Sequence, residues 1–156
     1  MTVPETQVAA DRTAPTGIDP RGPRFGAGVN GVLLVAGLLP SGSAATVLLA
    51  VIAASFALGA VGGPSATWQG WLFRTVVRPR IAAPSELEDP RPPTFAQLVG
   101  LVITGLGVVG GLVGLAWAVP VAAAFALVAA FLNAVFGLCL GCELYLLGVR
   151  VRARSS

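Results

Sequence analysis

Asp19-Pro-Arg-Gly-Pro-Arg-Phe-Gly-Ala-Gly-Val29 returns seventy positions later as Asp89-Pro-Arg-Pro-Pro-Thr-Phe-Ala-Gln-Leu-Val99. The shared frame is D-P-R-x-P-x-F-x-x-x-V. A second match, Val77-Arg-Pro-Arg80 with Val149-Arg-Val-Arg152, keeps nearly the same spacing, at seventy-two. The chain thus holds two copies of one unit, repeat one over 18–81 and repeat two over 88–152. Each copy reads as a loop, an apolar run, a tight turn, a second apolar run and an arginine-rich boundary segment. Two crossings per copy bring the chain back to its starting side, so both copies share one orientation.

Composition says what surrounds these runs. The chain is 55% hydrophobic and 11% charged, with a mean hydropathy of +0.83. A soluble domain of 156 residues cannot bury that much apolar surface, so lipid is the solvent for most of it. The apolar runs are Phe25–Leu39, Ala44–Val61, about Phe95–Ala118 and Val119 to about Leu138. Pro40-Ser-Gly-Ser43 divides the first pair, and a Trp117/Pro120 turn divides the second. The expected fold is an all-α membrane protein of four transmembrane helices. They form two parallel helical-hairpin repeats, each followed by an interfacial amphipathic helix. Residues 1–17, polar and rich in Thr, Ala and Pro, are expected to be a disordered tail ahead of a membrane domain over 18–152.

The net charge of +3 arises from ten arginines and no lysine. All of them fall in the N-terminal segment, the central loop or the C-terminal tail, and neither hairpin turn carries a charge. That pattern is a topology signal rather than a nucleic-acid surface. It predicts a multi-pass protein of the bacterial plasma membrane with both termini cytoplasmic. Trp68, Trp71 and Trp117 suit boundary anchors. The absence of histidine excludes the common zinc sites and the usual proton shuttle.

Chemistry concentrates in Phe136-Gly-Leu-Cys-Leu-Gly-Cys-Glu-Leu-Tyr145. Cys139 and Cys142 are the only cysteines, and Glu143 is the only acidic residue after Asp89. On a helical path the three stand at i, i+3 and i+4 and share one face. Two thiols so placed form a disulfide or bind a soft metal ion, and Glu143 is a candidate proton acceptor. The assignment of attacking and resolving thiol is open, with Cys142 the exposed attacker if Glu143 serves it. By the repeat offset, Cys139 to Cys142 correspond to about Thr67 to Gly70, where the second run gives way to its boundary helix. An unbroken helix from Val119 to Val149 would be roughly 45 Å long against a hydrocarbon core of about 30 Å. A break is therefore expected, with Gly137 and Gly141 the obvious places. Asn30 and Asn133 lie at matching depth, roughly 9 Å inside their helices. They could bond to each other or share a polar pocket behind the thiols, with Gln97 a similar case. Ordinary helix–helix contacts are the simpler reading of all three.

Ile18–Phe25, Val77–Pro93 and Phe131-Leu-Asn-Ala-Val-Phe-Gly-Leu-Cys-Leu-Gly-Cys-Glu-Leu-Tyr145 closely resemble a bacterial membrane family catalogued as domain of unknown function 4395. The resemblance spans about Ile18 to Arg152, and its most specific part is C-x-G-C-E-x-Y. Members of that family are often encoded beside thioredoxin-like proteins and sulfurtransferases, which implies a thiol or sulfur role. The favoured function is thiol–disulfide or sulfane-sulfur exchange at Cys139 and Cys142, assisted by Glu143, with a soluble thioredoxin-like or sulfurtransferase partner. The competing readings are a small-solute or soft-metal transport subunit, enlarged by homo-oligomerisation, and an assembly subunit with packing cysteines. Neither a cofactor nor a defined catalytic reaction follows from the residues.

Overall fold

Glycine and alanine decide how closely these helices approach. A computed structural model describes residues 17–154, so the expected disordered tail lies, but for Gly17, outside the described residues. The helices are α1 (Arg21–Leu38), α2 (Ser43–Gly62), α3 (Trp68–Leu72), α4 (Arg91–Leu112), α5 (Ala118–Phe136) and α6 (Leu140–Arg154). A 3-10 turn, Pro64–Ala66, leads into α3, which continues through a π-turn at Phe73–Val77 and a 3-10 turn at Arg78–Arg80. Pro79 lacks an amide proton and ends that irregular helix.

Three helices, α2, α4 and α5, are long and apolar enough to cross a membrane. Among the described residues α1 is not counted with them, because Arg21 and Arg24 occupy its first turn and Asn30 its middle. The second hairpin turns earlier than expected. Helix α4 ends at Leu112, Gly114 takes a positive φ of 85°, and Pro120 lies within the first turn of α5. Proline costs least in that position, where amide protons lack intrahelical acceptors. The corresponding glycine of the first hairpin, Gly42, also has a positive φ, 66°.

Helix α2 packs along α4, and α1 along α5. The core between them contains Leu34, Leu49, Ile52, Val119, Ala122 and Ala126. A methyl group added at Gly107 would overlap the Cβ of Ala122, and one at Gly111 would stand 2.7 Å from Thr46 Oγ1. Small residues thus let α4 sit against α2 and α5 with little but backbone between them, the usual way helices gain contact where water offers no hydrophobic drive. The outward faces remain apolar; Leu106, Val109, Phe125 and Val128 are all exposed.

Ile18 and Glu88 form an isolated antiparallel bridge, and each amide donates to the other's carbonyl at 2.9 Å. The following aspartates behave alike. Asp19 Oδ1 accepts the amide of Arg21 at 3.0 Å, and Asp89 Oδ1 accepts that of Arg91 at 2.9 Å. The Arg21 guanidinium also holds the buried Asp19, which Arg78 approaches at 3.6 Å. Hydrogen bonds and charge from Arg21, outweighing partial desolvation, with Arg78 a lesser contributor, lower the Asp19 carboxyl below its ordinary value.

Candidate functional site around the cysteine pair

The expected break falls at Gly137. This residue turns left-handed at φ 70°, its amide returns to the Asn133 carbonyl at 3.0 Å, and that of Leu138 to Leu132 at 3.1 Å. These two bonds close a glycine-terminated helix end. The Arg24 guanidinium lies across this turn, 3.4 Å from where a Gly137 Cβ would stand.

Helix α6 then begins with Cys139 as its cap. Cys139 Sγ accepts the Cys142 amide at 3.4 Å, and its carbonyl accepts the Glu143 amide at 3.0 Å. At the start of α3, Thr67 Oγ1 accepts the Gly70 amide at 3.0 Å, and the Thr67 carbonyl accepts from Trp71 at 2.9 Å. Cys139 therefore stands where a polar capping residue belongs, at a helix end that favours negative charge. The two sulfurs are joined as a disulfide, with Cα atoms 5.2 Å apart. Glu143 is exposed in the first turn of α6, and its carboxylate makes no hydrogen bond or ion pair among the described residues.

A cavity of about 240 Å³ opens beside Cys139, between α1, α4, α5 and the start of α6. Asn30, Gln97 and Asn133, the polar residues picked out inside the apolar runs, line it together with Cys139; Cys142 and Glu143 do not. Among the described residues, none of those in its walls is charged. Phe56, Ile103 and Phe125 make much of the apolar lining. Gly100 and Gly141 also line it. A Cβ at Gly100 would lie 2.6 Å from the Phe56 ring and one at Gly141 2.6 Å from Ala96, so both glycines allow close packing at the cavity wall.

Asn30 does not bond to Asn133. Its Oδ1 accepts Gln69 Nε2 at 2.6 Å, and Gln69 Oε1 accepts the Ser55 hydroxyl at 2.7 Å. All three residues are buried, Gln69 to within 2%. Gln69 occupies one end of the Asn30 amide in either amide orientation, and Asn30 lines both this cavity and a smaller one beside Gln69. Sequence reasoning missed both Gln69 and Ser55. Gln69 stands between Trp68 and Trp71, which are exposed, in a stretch that reads as boundary helix. Arg24 was missed as well, having been read only as a topology charge.

The domain of unknown function (DUF4395) matches residues 18–150, nearly the whole described chain. The chain belongs to the DUF4395 family. No curated protein and no solved structure matches it. The DUF4395 match spans the D-P-R frames of both repeats and the capped cysteine pair, so the whole site falls within the family domain.

Proposed function

We propose that this DUF4395 protein is a four-span membrane protein that exchanges thiols and disulfides with a soluble, thioredoxin-like partner. The observation that carries this reading is the Cys139–Cys142 disulfide set on the N-terminal cap of α6. In the exchange, a partner thiolate attacks one sulfur of the disulfide and forms a mixed disulfide. The partner's second thiolate then breaks that bond. The partner leaves oxidised, and Cys139 and Cys142 become thiols carrying the partner's two protons. The helix end stabilises negative charge on Cys139, which makes it the better leaving and attacking sulfur. The sequence left the assignment of attacking and resolving thiol open, and this reading gives the attacking role to Cys139. With its carboxylate free, Glu143 serves as a proton relay at the surface.

The disulfide favours exchange over the soft-metal reading, because sulfurs bonded to each other are not thiolate ligands. The parallel-repeat arrangement and a fourth span at α1 draw support from the Ile18–Glu88 bridge, the matching Asp19 and Asp89 contacts, and the complementary packing of α2 on α4 and α1 on α5. With four spans, the positive-inside rule places both termini and the cysteine pair at the cytoplasmic face.

The direct test is alkylation of the two cysteines in inside-out and right-side-out vesicles, before and after addition of reduced thioredoxin. The reading expects thioredoxin-dependent labelling in inside-out vesicles alone. Thiols that are already reduced and label only after detergent unfolding would sink it.

A further inference from the structure

Resting on that exchange reading, we infer that the cavity beside Cys139 binds a membrane-soluble quinone, which takes the electrons that the cysteine pair receives. The exchange leaves two electrons and two protons on Cys139 and Cys142, and the described residues contain no second redox pair to pass them to. The cavity that opens on Cys139 indicates the chemistry of the acceptor. The described residues of its walls carry no charge, which disfavours both an anion and a metal ion. They are largely apolar and aromatic, with Phe56 and Phe125 present, and Phe125 is also exposed on the outer face of the bundle. Three side-chain amides, those of Asn30, Gln97 and Asn133, supply hydrogen-bond donors. Asn30 is only 6% exposed, lines the cavity and has one end of its amide held by Gln69. A volume of about 240 Å³ is just below the roughly 300–1,000 Å³ of pockets for drug-sized ligands, and so suits one ring-sized head group whose tail remains in lipid. A flat, neutral ring with carbonyl acceptors that carries two electrons and two protons fits each of these features.

The step balances without another reactant. The Cys139 thiolate adds to a ring carbon, forming a C–S bond and reducing the ring. The Cys142 thiolate then attacks Cys139 Sγ. The S–S bond forms, the C–S bond breaks, and the electron pair leaves with the ring. The two thiol protons end on the two ring oxygens. The products are the disulfide and one quinol. The amides of Asn30 and Asn133 stabilise the oxygens as negative charge develops on them.

The test uses the full chain in detergent or vesicles, reduced and freed of reductant, then mixed with a short-chain ubiquinone. Quinol is followed by absorbance and the disulfide by alkylation mass shift. One quinol should form per disulfide, and Asn133→Leu and Ala129→Phe should each slow the reaction about tenfold, as expected for the loss of one good hydrogen bond or of the space itself. Quinone should also raise the melting temperature of a Cys139→Ser/Cys142→Ser protein, a readout that needs no chemistry and shows the fold to be intact. Equal rates in the wild type and both cavity variants would overturn the cavity assignment. If reduced thioredoxin exchanges with the pair but quinone neither oxidises nor stabilises the protein, the quinone inference falls and the exchange reading stands. If thioredoxin fails as well, both fall.

Discussion

The amide of Cys142 points at Cys139 Sγ from 3.4 Å, so the first cysteine of the pair caps the helix that carries the second. When the disulfide is reduced, this amide and the aligned peptides behind it act most directly on Cys139, which caps the helix end. A helix end is worth about 0.3–1 kcal/mol to a negative group, a few-fold in thiolate population. The Cys142→Ser protein, with Cys139 free, should therefore react with iodoacetamide at neutral pH a few times faster than Cys139→Ser. The opposite order would give the attacking role to Cys142.

The buried chain Ser55–Gln69–Asn30 ties α2, α3 and α1 together. Gln69→Leu removes both of its bonds and strands the Ser55 hydroxyl and the Asn30 carbonyl oxygen. A stranded buried group costs about 1–3 kcal/mol. A fall of several degrees in thermal midpoint in detergent is expected, whereas Trp68→Phe, at an exposed neighbour, should leave the midpoint nearly unchanged. Equal midpoints for Gln69→Leu and the wild type would show that the network carries no stability.

Helix α4 offers a matched pair of glycines. A methyl at Gly107 overlaps Ala122, while one at Gly105 meets nothing within 4 Å. Gly107→Ala should destabilise by about 1–3 kcal/mol through overpacking. Gly105→Ala should be neutral, or stabilising by up to about 1 kcal/mol through helix propensity. Denaturant melts of the two variants check the ranking, and a reversal would mean that α4 does not rest on α5 along this face.

Asp19 makes one contribution to stability depend on pH. Its carboxyl is lowered mainly by the hydrogen bond from Arg21, so the ionised form binds more favourably in the folded protein. The contribution is complete above the ordinary carboxylate value of about 3.9 and disappears as pH falls through the lowered native value. The Arg21 and Arg78 side chains are 38% and 40% exposed, so solvent screening limits the effect to about 1 kcal/mol or less. Asp19→Asn should flatten the acid limb of the stability profile and have less effect at pH 7 than Gln69→Leu. An unchanged acid limb would exclude Asp19 as its source.

In a cysteine-free background, Ser41→Cys and Glu86→Cys place probes at two exposed positions, in the first hairpin turn and the central loop. If α1 and α2 both cross, an impermeant thiol reagent should label the two from opposite sides of the membrane, with Glu86→Cys accessible from the cytoplasm. Labelling of both from one side would exclude the crossing by α2.

The sequence by itself determined the helical class, the first hairpin turn, a break in the last apolar stretch at Gly137 or Gly141, and the start of α6 at the cysteines. Each rests on a local cause: a run too apolar for water, a glycine able to turn left-handed, or a helix too long for the bilayer. The repeat reached further. It anticipated that Cys139 would stand where Thr67 stands, and Thr67 and Cys139 indeed cap α3 and α6 through the same pair of bonds. Only the tertiary structure decided which apolar faces meet, because in a helix that is apolar all round periodicity does not separate the lipid side from the protein side. It also carried Gln69 into the core beside Asn30. And it made the cavity, since Asn30, Gln97, Asn133 and Cys139 come from α1, α4, α5 and the cap of α6, far apart in the chain. Their meeting depends on Gly100 and Gly141 letting Phe56 and Ala96 approach within a Cβ's reach, a long-range packing relation that no local pattern encodes.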